Sequence, residues 1–242
     1  MEKNTLMKWQ RVIIIANWLM FIFIVLVVLR VSRRIFIGDW FPVDTTSMVP
    51  AIIPGDKIWV NKLIFGARIY KNLDFFEGEP ISTFRVKGWR KIRRNDVVVF
   101  NAPIQADGKD SIAFKINYIY VKRCMGLPGD TVRNYGHQRF SGAVYVPKKR
   151  DTLFMNNPKI DLYRTVILYE TNNILPADYH VFLNNYYFMC GDNTWHSHDS
   201  RYFGFVPEEF IIGVAKRVLI NNRDGWEQRF RGRRILKRLT KK

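Results

Sequence analysis

Cysteine is nearly missing: Cys124 and Cys190 are the two in 242 residues. That excludes a disulfide scaffold. Both sit in apolar, strand-like runs, which favours buried thiols over a bridge. Acidic residues are scarce too, 21 Asp and Glu against 39 Lys and Arg, for a net charge of +18. Such an excess suits an anionic membrane surface or nucleic acid. It is uneven: residues 221–242 hold nine Lys and Arg against Asp224 and Glu227, and Arg85, Lys87, Arg90, Lys91, Arg93 and Arg94 form a second run. Long helical periodicity is lacking between residues 40 and 220, which excludes a helical bundle.

What is present is apolar substance. Hydrophobic residues make up 48%, so the chain builds a packed core. Val12 to Leu29 is apolar except for Asn17 and runs 18 residues. As a helix it spans roughly 27 Å, close to a bilayer's hydrocarbon thickness. Arg11 and Arg30 bracket it and reach toward headgroups. No small-x-small cleavage site follows, only Arg30-Val31-Ser32-Arg33-Arg34, so the run reads as an uncleaved anchor. Flanking charge does not set its orientation, with Lys3, Lys8 and Arg11 on one side and Arg30, Arg33 and Arg34 on the other. Ile35 to Phe41 reads equally as a bilayer-surface segment or a core strand.

Beyond residue 40 the chain alternates turn and strand. Pro54-Gly55-Asp56, Asn95-Asp96 and Pro128-Gly129-Asp130 precede Lys57–Val60, Val97–Phe100 and Thr131-Val132; Gly191-Asp192 closes Tyr186–Cys190. Pro-Gly suits a type II turn. Tyr118–Cys124, Ala143–Val146, Thr165–Tyr169, His180–Leu183 and Ile211–Ile220 are further strand candidates. The expected class is mainly β: a curled, barrel-like antiparallel core with an inserted cap, behind one transmembrane helix. The expected organisation is 1–34 cytoplasmic N-terminus and anchor, 35–133 first part of the core, 134–188 cap, 189–220 second part, and 221–242 basic tail. A surface helix or a frayed end are the two readings of that tail.

Three stretches carry chemistry. Thr45-Thr46-Ser47-Met48-Val49-Pro50 presents a serine from an extended loop or strand end, because a residue before proline is pushed to extended backbone. Tyr120-Val121-Lys122-Arg123-Cys124 places Lys122 on an apolar strand face with Tyr118, Tyr120 and Cys124. A lysine buried there without a carboxylate loses its proton more easily and serves Ser47 as base. Read alone, Lys122-Arg123 is an ordinary surface pair. Gly191 to Gly204 is a dense polar loop. In it Ser197 is placed to orient a neutral lysine, and Asp199 and Arg201 to form an ion pair. Two rival readings use the histidines: a metal site of His196 and His198 with Asp192 or Asp199, or a Ser-His-Asp triad with Ser47. The plain reading of His196 and His198, as of His137 and His180, is a solvated polar loop.

Taken in order, the anchor, Ser47-Met48-Val49-Pro50, Gly55-Asp56, Asn95 to Phe100, Lys122 to Asp130 and Gly191-Asp192-Asn193…Asp199-Ser200-Arg201 resemble bacterial type I signal peptidases. The resemblance covers the anchor and residues 40–66, 94–132 and 190–215. It implies a Ser/Lys dyad endopeptidase that removes signal peptides from membrane-inserted preproteins after small residues. Ser47 is then the nucleophile and Lys122 the general base. Thr45 stands at the side-chain oxyanion donor, Ser197 at the serine that orients the lysine, and Asp199 and Arg201 at the supporting pair. It implies no metal and no cofactor, and a catalytic domain on the outer face of the cytoplasmic membrane. A translocated domain does not meet nucleic acid, so the basic tail is assigned to anionic lipid. The chain departs from the family pattern at Thr194-Trp195-His196 and at Asn95, where glycine is usual. A membrane-tethered homologue that binds preproteins without cutting them is the competing expectation.

Overall fold

The computed structural model describes residues 2–72, 81–105, 110–133, 142–157, 159–221 and 236–239. Helix α1, Glu2–Ser32, continues into a π-helical turn over Arg33–Ile37. From Trp9 to Ile37 the helical run is long and apolar enough to cross a membrane, and none of it packs inside the protein. Ile35, Phe36 and Ile37 therefore extend the helix, and the first strand starts at Gly38.

The strands are β1 Gly38–Val43, β2 Asp56–Asn61, β3 Arg68–Tyr70, β4 Thr83–Arg85, β5 Val97–Asn101, β6 Ile104–Gln105, β7 Ile112–Ala113 and β8 Ile119–Gly126. They continue as β9 Thr131–Val132, β10 Val144–Tyr145 and β11 Thr152–Phe154, then helix α2 Ile160–Glu170. Next come β12 Tyr179–Val181, β13 Tyr186–Cys190, the single-turn helix α3 Ser200–Phe203, β14 Val206–Pro207 and β15 Ile211–Asn221. Seven form one antiparallel sheet in the order β1-β2-β15-β5-β8-β13-β14. Register shifts in β15 after Ala215 and Val218 add twist and curl the sheet into a half-barrel.

The pleat sorts side chains between two cores. In β5, Val98 and Phe100 enter a large cluster with Cys124, Tyr186, Phe188 and Val214. Val97 and Val99 enter a second with Met48, Ile52, Ile58, Val60 and Val218. A strand buried on both faces reads as a continuous apolar run, as Val97 to Phe100 does. Burying each such side chain contributes about 1.5–3 kcal/mol. Both cysteines are free and buried. Turn chemistry follows the residues: Gly55 and Gly129 take φ of 91° and 90°, and Asn95 takes 69°. Asparagine tolerates the left-handed region better than other non-glycine residues, so Asn95 fills the glycine position.

Two expectations are corrected. Thr165–Tyr169 is the second half of α2, not a strand. Tyr163, Val166, Ile167 and Tyr169 turn one helical face into the large core, and a short buried helix reads like a strand in sequence. His180 is not in a solvated loop. It is buried, with Nε2 2.8 Å from Glu170 Oε2. Glu170 also accepts hydrogen bonds from the Leu183 and Asn184 N–H groups and the Tyr186 hydroxyl. His137, and the tail over residues 222–235 with its expected helix, lie outside the described residues. Leu236–Leu239 rejoins the sheet beside β15 through an isolated antiparallel bridge, Arg217 to Arg238.

Candidate active site

Strand β1 ends at Val43, and Ser47 heads a tight turn instead of extended chain. The Ile52 N–H donates to the Met48 carbonyl at 2.9 Å, and Met48 and Ile52 are buried beneath. Burying those two apolar side chains from one short loop outweighs the extended preference before Pro50. Lys122 lies in β8, flanked by Val98 of β5 in register. Its Nζ is 2.6 Å from Ser47 Oγ, and both residues are buried. The Nζ also sits 5.2 Å from the centre of the Tyr120 ring. Tyr118 falls outside β8 and is exposed.

Burial lowers the Lys122 pKa from 10.5 to about 8. Asp199 opposes that shift and Arg201 adds to it. A neutral amine is thus accessible near neutral pH, within hydrogen-bond distance of the Ser47 hydroxyl. Thr45 is an exposed residue, and its Oγ1 lies 3.4 Å from Ser47 Oγ.

The Gly191–Arg201 loop closes the site. Asn193 donates from its backbone N–H to the Ser47 carbonyl at 3.0 Å and from Nδ2 to the Thr46 carbonyl at 3.2 Å. Asp199 accepts from Gly191 N–H, from Ser197 Oγ at 2.7 Å, and from Arg201 Nε and Nη2 at 2.8 and 2.7 Å. Burial pushes the Asp199 pKa up, but those donors, Arg201 foremost, hold it below the usual carboxylate value. The Ser197 hydroxyl therefore engages Asp199, and not the Lys122 amine. A Cβ on Gly191 would stand 2.1 Å from Ser197 Oγ and 2.5 Å from the Ser47 carbonyl oxygen, so only glycine fits there.

Arg123, on the opposite face of β8, is buried and paired with Asp192 through Nε at 2.6 Å and Nη2 at 2.5 Å. It also donates to the Asn95 carbonyl. Gly191, Asn193 and Tyr120 thus line the site without having been assigned roles from sequence, and Asp192, considered there only as a metal ligand, pairs with Arg123. Gly-Asp-Asn beside the other motifs was the available signal. His196 and His198 are exposed, and His198 stacks on Tyr202. Among the described residues, the hydrogen-bonded base at Ser47 is the lysine and not a histidine. Among them too, no group of three or more His, Cys, Asp or Glu is placed to hold a metal ion. Thr194–His196 is a short exposed 3-10 turn, so its departure from the family pattern lies outside the packed site.

The family profile described as "Signal peptidase, peptidase S26" matches residues 15–220. Signal peptidase I of Pseudomonas aeruginosa is 30% identical, aligned over 81% of this chain and 68% of the relative. Signal peptidase I of Buchnera aphidicola from Schizaphis graminum is 28% identical over 76% and 69%. That of Rickettsia bellii is 27% identical over 93% and 76%. With its curled antiparallel sheet and the apolar helix ahead of it, the chain belongs to the signal peptidase family of serine endopeptidases, peptidase S26.

Proposed function

We propose that the protein is a single-pass membrane endopeptidase that removes signal peptides from exported preproteins, using Ser47 and Lys122 as a dyad. The observation that carries the reading is the 2.6 Å separation of Lys122 Nζ and Ser47 Oγ in buried surroundings. The names of the relatives support the substrate class. Cleavage after small residues, and a catalytic domain outside the cytoplasmic membrane, follow the family resemblance. The run Trp9–Ile37 supports the anchor. Anionic lipid is the second partner, suggested by the +18 charge.

The steps are those the family resemblance implies, applied to the residues of this site. Ser47 Oγ attacks the scissile carbonyl carbon while its proton passes to neutral Lys122 Nζ. The Ser47 N–H and the Thr45 hydroxyl take the developing oxyanion, each worth about 3 kcal/mol in comparable sites. As the C–N bond breaks, Lys122 gives its proton to the leaving nitrogen. Water then loses a proton to Lys122 and attacks the acyl carbon, and Ser47 Oγ departs with that proton. Asp199, Arg201 and Ser197 keep the loop rigid.

The test is direct. Purified full-length protein in detergent is incubated with several preproteins, and the products are mapped by mass spectrometry. One cut at the end of the signal peptide is expected. Intact preproteins across the whole panel would contradict the reading and leave the binding-only homologue in its place.

A further inference from the structure

Two residues of the Leu236–Leu239 segment bond next to the two halves of the dyad: Lys237 to Pro50, three residues after Ser47, and Leu239 to Arg123, the neighbour of Lys122. Leu239 is 2% exposed and fills the second core beside Met48 and Ile52, the buried residues of the Ser47 turn. Lys237, half-buried, donates from Nζ to the Pro50 carbonyl at 3.2 Å. The segment is itself fixed to β15, by Val218 N–H to the Lys237 carbonyl and Leu239 N–H to the Lys216 carbonyl, both 2.9 Å. The Leu239 carbonyl in turn accepts from Arg123 Nη1 at 3.0 Å. Arg123 follows Lys122 in β8 and holds Asp192 of the loop that closes over Ser47.

We propose that Leu236–Leu239 is a positioning clamp that sets the Ser47 turn against the Lys122 strand. The inference rests on the dyad reading above. Its logic is geometric. Among the described residues, the carbonyl groups of the Ser47 turn are held from outside it by Asn193 on one side and by Lys237 on the other. The side chain of Leu239 is buried in the same apolar cluster as Met48 and Ile52. Its backbone carbonyl meanwhile fixes Arg123, and so the direction in which β8 presents Lys122. Removing the segment leaves both dyad residues in place but loosens their registry. A misplacement of about 1 Å costs on the order of 100-fold in rate. Loosening also admits water around the amine, which raises its proton affinity.

Full-length protein is compared with a chain ending after Ile235, one ending after Leu239, and the variants Leu239→Ala, Leu239→Met and Lys237→Ala. Steady-state preprotein cleavage is measured across pH, with circular dichroism to report the folded fraction. For the chain ending after Ile235 and for Leu239→Ala, kcat per folded molecule should fall by roughly 10–100-fold. KM should stay within about twofold, since a loss confined to the registry of the dyad acts on the chemical step. The acid limb of the pH profile should move upward. Leu239→Met should restore most of the rate, and the chain ending after Leu239 should match the full-length protein. A folded Leu239→Ala with wild-type kcat, or a loss that follows the folded fraction alone with the acid limb unmoved, would overturn the clamp. Should Leu239→Ala fail to fold, Lys237→Ala decides: a several-fold loss of kcat supports the clamp, and an unchanged kcat overturns it. Ser47→Ala run in parallel separates the two readings. An active Ser47→Ala removes the dyad, whereas an inactive one beside a fully active Leu239→Ala removes only the clamp.

Discussion

Lys122 Nζ and Ser47 Oγ stand 2.6 Å apart although 75 residues separate them in the chain. The sheet brings them together: β8 holds the amine, and the turn after β1 is folded back by the burial of Met48 and Ile52. The pairing joins a hydroxyl to an amine that burial has made easier to deprotonate.

Activity should rise with pH through about 8 and level off above it, because the folded Lys122 gives up its proton there. A profile of kcat/KM against pH for the purified enzyme reports this limb. An acid limb displaced well below that, with His196 and His198 required, would point to a histidine base.

Lys122→Met should abolish cleavage and stabilise the fold at neutral pH. The lowered pKa means the unfolded chain binds the lysine proton more tightly. Stability therefore rises with pH between about 8 and 10.5, and below that window the buried amine is a full cost. The gain on replacement should be about 2–3 kcal/mol, read from thermal or denaturant unfolding at pH 7.

Asp199→Asn should destabilise by about 3–5 kcal/mol, since it leaves Arg201 buried without its carboxylate. It should also shift the acid limb downward. The Asp199 charge raises the Lys122 pKa, so its removal takes away the larger of the effects that oppose burial. Unfolding and the pH profile check the two effects separately.

Gly191→Ala should lower stability by about 1–3 kcal/mol through overpacking. Its Cβ meets Ser197 Oγ and the Ser47 carbonyl oxygen, so the loop or the Ser47 turn must move. The rate should fall with it, on the order of 100-fold for a displacement near 1 Å. Initial cleavage rates and melting temperature give both readings.

Much of this was legible in the residues. The Val12–Leu29 run lies within the exposed helix, and the turn residues at Gly55, Asn95 and Gly129 mark the strands that follow. Lys122 was placed on an apolar strand, and Cys124 beside it is in the core. The pairing of Ser47 with Lys122 was suggested by the chemistry of a lysine on an apolar strand and strengthened by the order of family motifs, because no local pattern reports a contact across the sheet. Thr165–Tyr169 misled because a β-branched, aromatic run suits a strand as well as a buried helical face. His180 escaped because its partner, Glu170, belongs to that misread helix. The charge count misled in a further way. Arg85, Arg90 and Arg94 looked like a free basic run, yet Arg85 donates to the Gly66, Glu208 and Ile211 carbonyls, Arg90 pairs with Asp96 and Arg94 with Asp130.

The most direct test is the initial rate of preprotein cleavage by Ser47→Ala and Lys122→Ala, each purified at full length and shown to be folded. The dyad predicts that both fall to background, while the variant carrying both His196→Ala and His198→Ala stays within a few-fold of wild type. Wild-type cleavage by either Ser47→Ala or Lys122→Ala would contradict it.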